Sequence, residues 1–360
     1  MKQRRNSNLS AFLATFLAAL LGSGGVWSLC ASAEDKGPNE KLLTAIRDAD
    51  AQAARALLSS PSGGADANAG DEDGLTALMY AAMYAGADCV ELLLEKGADP
   101  NAKSKSGVTA IMLAIGHADK VRLLLAKGAY VNAKSKQGHT ALTIAAGREG
   151  GAEVVKLLLN HGADLSDAKI LCAAARSGDI QVVKLLLEKG ADPNGKNQIG
   201  GSPPVLVNMD GDLNQTGGTP VISPLLVLTG TIGTTPLMYA AIAGNADVVK
   251  LLLARGADVN AKNIVNVTAL VLAAQMGDPA TVKLLLENGA EVNTRHESGH
   301  TALMYAAASE SDDPELIRAL LASGAEINVR AKDGETALKL AGRKGRTEIV
   351  RLLEKAGAKE

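Results

Sequence analysis

Gly97-Ala98-Asp99-Pro100-Asn101 decides how this chain is read, because the same phrase returns along most of its length. Near-copies begin at Gly64, Gly128, Gly162, Gly190, Gly256, Gly289, Gly324 and Gly357, so that successive steps are 33, 31, 34, 28, 66, 33, 35 and 33 residues. The long step of 66 is two periods of 33. A period of this length describes stacked supersecondary units, each too small to bury its own apolar face. Arrays of that kind present extended faces, so the expectation is a binding surface rather than a catalytic cleft.

Working outward from Gly97, residues 73–103 show the grammar of one unit. Gly74 and Thr76-Ala77-Leu78 are followed by Tyr80-Ala81-Ala82, a break at Ala85-Gly86, Val90-Glu91-Leu92-Leu93-Leu94, and the Gly97 phrase. Leu78, Ala81 and Ala82, and again Val90, Leu93 and Leu94, follow helical spacing, which predicts two short antiparallel helices per unit and an all-α fold. Thr76 stands where an N-cap is needed and Gly97 where a left-handed residue ends a helix. Asn101–Gly107 reads as a turn into the next pair. Phe12, Phe16 and Trp27 all precede residue 30, so the repeats are built without Phe or Trp. Their core is Leu, Val, Ile and Ala, and the recurring Leu-Leu-Leu carries most of the cohesion.

These residues resemble the ankyrin repeat, from about Lys41 to Glu360. The hallmark Thr-Pro-Leu stands at Thr235-Pro236-Leu237, with Thr-Ala-Leu or Thr-Ala-Ile at Thr76, Thr109, Thr140, Thr268, Thr301 and Thr336. Met79, Met238 and Met304 replace the histidine that often follows. The resemblance implies a solenoid of stacked helix–turn–helix units with β-hairpin fingers, working as a protein–protein interaction scaffold without a cofactor.

The N-terminus is a separate object. Lys2, Arg4 and Arg5 precede the uncharged run Leu9–Leu21, and Ala31-Ser32-Ala33 precedes Glu34. That order describes a secretory signal peptide over residues 1–33, cleaved after Ala33, and a periplasmic or secreted array over 34–360. An uncleaved inner-membrane anchor is the rival, since Leu9–Ala33 carries no charge; membrane contact is expected only in that case. Leu29 before Cys30 argues against a lipoprotein signal. Removing residues 1–33 leaves 34 basic against 39 acidic side chains, a poor balance for nucleic acid. Cys89 and Cys172 lie in different units, too far apart to bridge.

Departures from the repeat are the expected seats of specificity. The unit at Gly107 loses two residues after Ile115, the unit around 167–189 lacks about five residues of its turn, and the unit at Gly299 gains two in Ser309–Pro314. The largest departure is 197–232, where Ser202-Pro203-Pro204 keeps the frame but Gly217-Gly218-Thr219-Pro220 opposes a second helix. It reads either as a decayed repeat or as an insertion carried on a finger. Glu354 in place of a third leucine, with Arg343, Lys344 and Arg346, marks a C-terminal cap, and Leu42–Leu58 an N-terminal one.

Little points to chemistry. The histidines lack metal spacing, and the recurring Asp99, Asp192 and Asp258 are turn residues. An enzyme would have to use Asp210 and Asp212 in the 197–232 segment, which have no orienting partner in sequence. By resemblance, an unidentified protein partner is held on finger tips and the ends of first helices. Tip candidates are Glu72, Asp73, Leu75, Gln137, His139, Ile264, Val267, Glu297 and His300; helix-end candidates are Met83, Tyr84, Arg148, Arg176, Ile242, Gln275 and Met276. Tyr80, Tyr239 and Tyr305 recur at one helix position and are assigned to packing.

Overall fold

A computed structural model describes residues 37–60, 64–197 and 233–359. The expected signal segment 1–33 and residues 198–232, with Asp210 and Asp212, lie outside the described residues. The described residues form nine consecutive helix pairs. The first four are α1 (Pro38–Arg47) and α2 (Ala51–Leu58), α3 (Ala77–Tyr84) and α4 (Ala87–Glu95), α5 (Ala110–Leu113) and α6 (Ala118–Ala126), α7 (Ala141–Ala146) and α8 (Ala152–Asn160). Then come α9 (Lys169–Ser177) and α10 (Ile180–Glu188), α11 (Pro236–Ile242) and α12 (Ala246–Ala254), and α13 (Ala269–Met276) and α14 (Pro279–Glu287). The last are α15 (Ala302–Ala308) and α16 (Pro314–Ala322), and α17 (Ala337–Arg343) and α18 (Thr347–Lys355). The described residues divide into two compact units, one comprising those up to Ala145 together with Gly151–Asp164, the other Ala146–Gly150 together with those from Leu165 onward.

The first helices start where threonine caps them. Thr76, Thr140, Thr235, Thr268, Thr301 and Thr336 each accept the amide three residues on through their hydroxyl oxygen. Thr109 is the exception. Its hydroxyl is buried without a partner, and its helix α5 has four residues, the early end expected from the two missing positions. Buried Lys120 reaches back from α6 to the carbonyl oxygens of Ala81 and Ala82 at 3.3 and 3.1 Å, so the last turn of α3 gains a cationic donor.

Within the first unit α1 packs on α3 and α3 on α5, while α2, α4, α6 and α8 follow one another in a second row. The second unit repeats the arrangement from α9 through α11, α13 and α15 to α17. Leucine triplets fill the space between rows unevenly. The middle leucine is completely buried in Leu124, Leu158, Leu186, Leu252 and Leu285, whereas the flanking leucines of those triplets are half-buried. Burying each middle leucine stabilises by roughly 1.5–3 kcal/mol, so in these five triplets cohesion rests on the middle position, whereas Leu92, Leu93 and Leu94 are all buried.

The repeated phrase carries a second tie. Asn101 donates its side-chain amide to the Gly128 carbonyl oxygen (2.9 Å) and accepts the Tyr130 amide (2.7 Å). The same clasp joins Asn68 to Gly97 and Asp99, and Asn132 to Gly162 and Asp164. In the second unit Asn194 clasps Gly256 and Asp258, with Asn260, Asn293 and Asn328 repeating it. Ser166 takes the asparagine place where one unit gives way to the other.

Among the described residues the fingers are turns rather than strand ladders, with isolated bridges at Gly70–Thr76 and Arg295–Thr301. In the finger 104–108, Ser104 donates its amide to the Val108 carbonyl and Gly107 donates to Ser104. Gly107 has φ of +77°, a conformation glycine adopts at little cost. One further bond, from the Lys105 amide to the Asp73 carbonyl, ties this finger to the previous one.

The 197–233 finger keeps this geometry across its long gap in sequence. Asn197 donates to the Thr234 carbonyl and Gly233 donates to Asn197, the same two bonds, and Gly233 has φ of +90°. Two residues separate Ser104 from Gly107, but residues 198–232 separate Asn197 from Gly233. Helix α9 packs directly on α11, and the Asn194 clasp reaches Gly256, so the pairs on either side are immediate neighbours in the stack.

The last pair is more than a polar cap. Lys344 bonds Glu310 (2.7 Å) and Arg346, 9% exposed, bonds Asp312 (2.5 Å). The acidic residues gained before α16 stay exposed but are thereby tied to the last pair. Opposite charge, rather than solvation alone, explains the basic residues at this end.

Candidate functional site

The face expected to bind is built from two kinds of position in each repeat, finger tips and the ends of first helices. In the first unit, Glu72, Asp73 and Gln137 are exposed at tips, and Tyr84 is 53% exposed at the end of α3 beside half-buried Met83. His139 is half-buried. Leu75 is buried, at 5% exposure, and is corrected from a contact residue to a packing one. It stands directly after the turn glycine, where the chain has already turned inward and the carbonyl accepts the Asp71 amide. Val267 of the second unit occupies the same turn position, is 0% exposed, and is corrected for the same reason.

Tyr80 ties this region together. It donates its hydroxyl to Asp71 (2.5 Å), accepts from Arg47 (2.8 Å), and has that guanidinium 4.4 Å from its ring centre. Burial and the Asp71 carboxylate push its hydroxyl up to about 12. The packing role expected for this position therefore includes a charged bridge from α1 through α3 to a finger. Tyr84 stacks near Tyr80 at 6.3 Å between ring centres and leaves its outer face free. Tyr130, 68% exposed, was missed by sequence reasoning. Its signal is that it replaces the aspartate of the repeated phrase.

In the second unit, Ile264 (59%) and Met276 (41%) are exposed, as is Glu297, whereas Ile242, Gln275, Arg148, Arg176 and His300 are half-buried. The first helices that carry Arg176, Ile242, Gln275 and Met276 pack in sequence, so these side chains succeed one another along one edge. Burial makes both arginines hold their protons less tightly than usual. Tyr239, whose hydroxyl accepts from Asn197 at 3.4 Å, is the ionisable neighbour acting on Arg176.

The finger 296–300 holds a polar chain that sequence reasoning left as separate histidines. Ser298 lies 2.7 Å from the Nδ1 atoms of both His296 and His300. The Ser298 amide also donates to His296 Nδ1 (3.1 Å), so that nitrogen is an acceptor and its proton sits on Nε2. Ser298 then gives its hydroxyl proton to His296 and accepts from His300 Nδ1. Asp333 of the next finger faces His300 Nε2 at 3.6 Å, and Tyr305 packs against both rings. Burial pulls His296 below its ordinary value, helped by neighbouring His300. A second proton would have to enter Nδ1, which already accepts from Ser298, while Nε2 is buried without a hydrogen-bond partner that could stabilise the cation. Alternation as His-x-Ser-x-His was the available signal.

A serine beside two imidazoles is not by itself a hydrolytic centre. The base-side ring, His296, has no group on Nε2 to orient it or stabilise its cation. Among the described residues no group of three His, Cys, Asp or Glu is placed to hold a metal ion. Cys89 and Cys172 are free and buried, with their thiols pushed up by burial, Cys89 to about 11.

The family model for ankyrin repeats (3 copies) matches residues 17–104, 42–135, 116–197, 209–263, 223–296 and 270–359. The chain belongs to the ankyrin-repeat family. A search of curated proteins finds no match. Ankyrin repeats are protein-interaction scaffolds.

Proposed function

We propose that this protein is an exported ankyrin array that binds a protein partner, with residues 198–232 supplying selectivity and with no catalysis of its own. One observation supports the reading: Asn197 and Gly233 close the ordinary finger turn, so the two residues that flank 198–232 meet beside α9 and α11, the packed helices that carry Arg176 and Ile242. Export follows from the basic start, apolar run and Ala31-Ser32-Ala33 of the N-terminus. Periplasmic or secreted placement rests on that segment alone.

The test replaces 198–232 by the Lys105-Ser106 dipeptide of the complete finger. Helical circular dichroism is expected to persist while capture of the native partner by cross-linking is lost. Unchanged capture removes the selective role, and collapse of helicity removes the finger-tip placement. A second reading, an array tethered by an uncleaved N-terminus, is favoured by the uncharged length Leu9–Ala33. No helix among the described residues is long and apolar enough to cross a membrane. Mass spectrometry separates the readings: a mature chain starting at Glu34 excludes the tether.

A further inference from the structure

Two asparagines of the chain precede a glycine, Asn194 and Asn288. Such a pair is chemically labile, because glycine has no side chain to keep its amide nitrogen away from the asparagine side-chain carbonyl. The other clasp asparagines are followed by residues that carry a Cβ: Ala69, Ala102, Ala133, Ala261, Thr294 and Val329. Among the described clasps, Asn194 alone stands on a reactive pair. Packing explains the glycine. A Cβ at residue 195 would stand 2.9 Å from the Cβ of Ala168, the residue before α9, closer than two carbons pack.

The two asparagines are held differently. Asn288 ends α14 with φ −97° and ψ 17°, its side chain bonds back to Leu284 of the same helix (2.8 Å), and the Gly289 amide donates to Leu286 (3.0 Å). Asn194 is exposed in a turn and reaches another repeat, donating to the Gly256 carbonyl (2.9 Å) and accepting the Asp258 amide (2.7 Å). That accepted bond draws electron density from Cγ and makes it the better electrophile. The Gly195 amide is restrained by a longer bond, 3.2 Å, to the Asp192 carbonyl. Exposed turns open more readily than helices, so the Gly195 nitrogen is released before that of Gly289.

We propose that Asn194 is a self-modification site, where spontaneous deamidation turns a structural clasp into a loosened seam. The Gly195 nitrogen gives its proton to water and bonds to Cγ of Asn194. The Cγ–Nδ2 bond breaks, and Nδ2 takes a proton from solvent and leaves as ammonia. Water then opens the cyclic imide. Cleavage between Cγ and the Gly195 nitrogen gives aspartate, and cleavage at the main-chain carbonyl gives isoaspartate, with the backbone rerouted through Cβ and Cγ. Neither product has the Nδ2 donor. A carboxylate oxygen now faces the Gly256 carbonyl, and a new negative charge joins Asp192 and Asp258. This clasp bridges 62 residues where that of Asn101 bridges 27, so its loss releases the longer loop.

The experiment ages the full chain in mildly alkaline buffer and maps it by peptide mass spectrometry with isoaspartate labelling. Asn194 is expected to convert ahead of Asn288, while Asn260, a clasp followed by alanine, stays intact. The converted chain, separated by ion exchange, should unfold at a urea midpoint lower by roughly 0.3 M, and Asn194→Asp should do the same. Asn194→Gln should stay unmodified, because its longer side chain closes the ring more slowly. Gly195→Ala is paired with Ala168→Gly to make room, and the double variant should keep its helical circular dichroism and lose the conversion. Where the double variant fails to fold, Asn194→Gln carries the same comparison. Conversion at Asn288 without Asn194, or at neither, overturns the proposal. So does conversion at Asn194 that leaves the urea midpoint unchanged, or a folded double variant that converts at the wild-type rate.

Discussion

Two fingers of the same array differ in one respect. The finger at Ser104–Val108 crosses its tip in two residues, and the finger at Asn197–Thr234 encloses residues 198–232, yet both close with the same pair of backbone hydrogen bonds. Gly107 and Gly233 hold the same left-handed conformation, and each lies against the next finger, Gly107 beside Ser135 and Lys136, Gly233 beside Asn263 and Ile264. The lesson is that stacking is governed at the finger base, by turn, clasp and middle leucine. What happens beyond the base is left open to other demands.

The comparison is sharpened most by shortening. Replacing 198–232 with two residues removes about four doublings of loop length, so loop closure alone predicts a gain near 2 kcal/mol by urea denaturation. A loss of stability would mean that the segment contributes packing of its own. Next in size are the clasps. Asn101→Ala and Asn194→Ala each delete two hydrogen bonds that reach the next phrase, across 27 residues in the first case and 62 in the second. Both sites are exposed, so about 1 kcal/mol is expected for each. A cost for Asn194→Ala far below that for Asn101→Ala would deny that α9–α10 and α11–α12 are neighbours in solution.

A smaller effect concerns acid. Because His296 is held below its ordinary value of 6.5, the folded chain takes up its proton less readily than the unfolded chain. Its stabilising share is present above pH 6.5 and is lost as pH falls through the interval below it. The melting temperature should drop on the order of 1 °C more between pH 7.5 and 5 in the wild type than in His296→Gln. Smallest is Asn197→Ala. The finger base closes through backbone atoms that this substitution keeps, so helical circular dichroism should be unchanged although the 3.4 Å bond to Tyr239 is lost.

The array was legible in sequence because its signals are local and recur. Thr76, Thr235 and Thr301 cap helices where they were expected, and the glycines of the repeated phrase end them. The face was less legible, since one turn position holds Leu75, Val267, His139 and His300, and only the histidines keep part of their surface. Sequence spacing gives the register of that position but not which way the side chain turns. The asparagine clasps were in plain view as the final letter of the phrase, yet their reach to the next repeat is a tertiary fact. The acidic residues before α16 looked like an open loop because Lys344 and Arg346, which hold them, come 34 residues later.

Asn197 and Gly233 meet at one turn, and this makes the finger a natural grafting point. A passenger whose own two ends lie close together can be spliced between them without asking any helix of the host to move. Modularity here thus runs in two directions: repeats add along the stack, and cargo adds outward from a single corner of it.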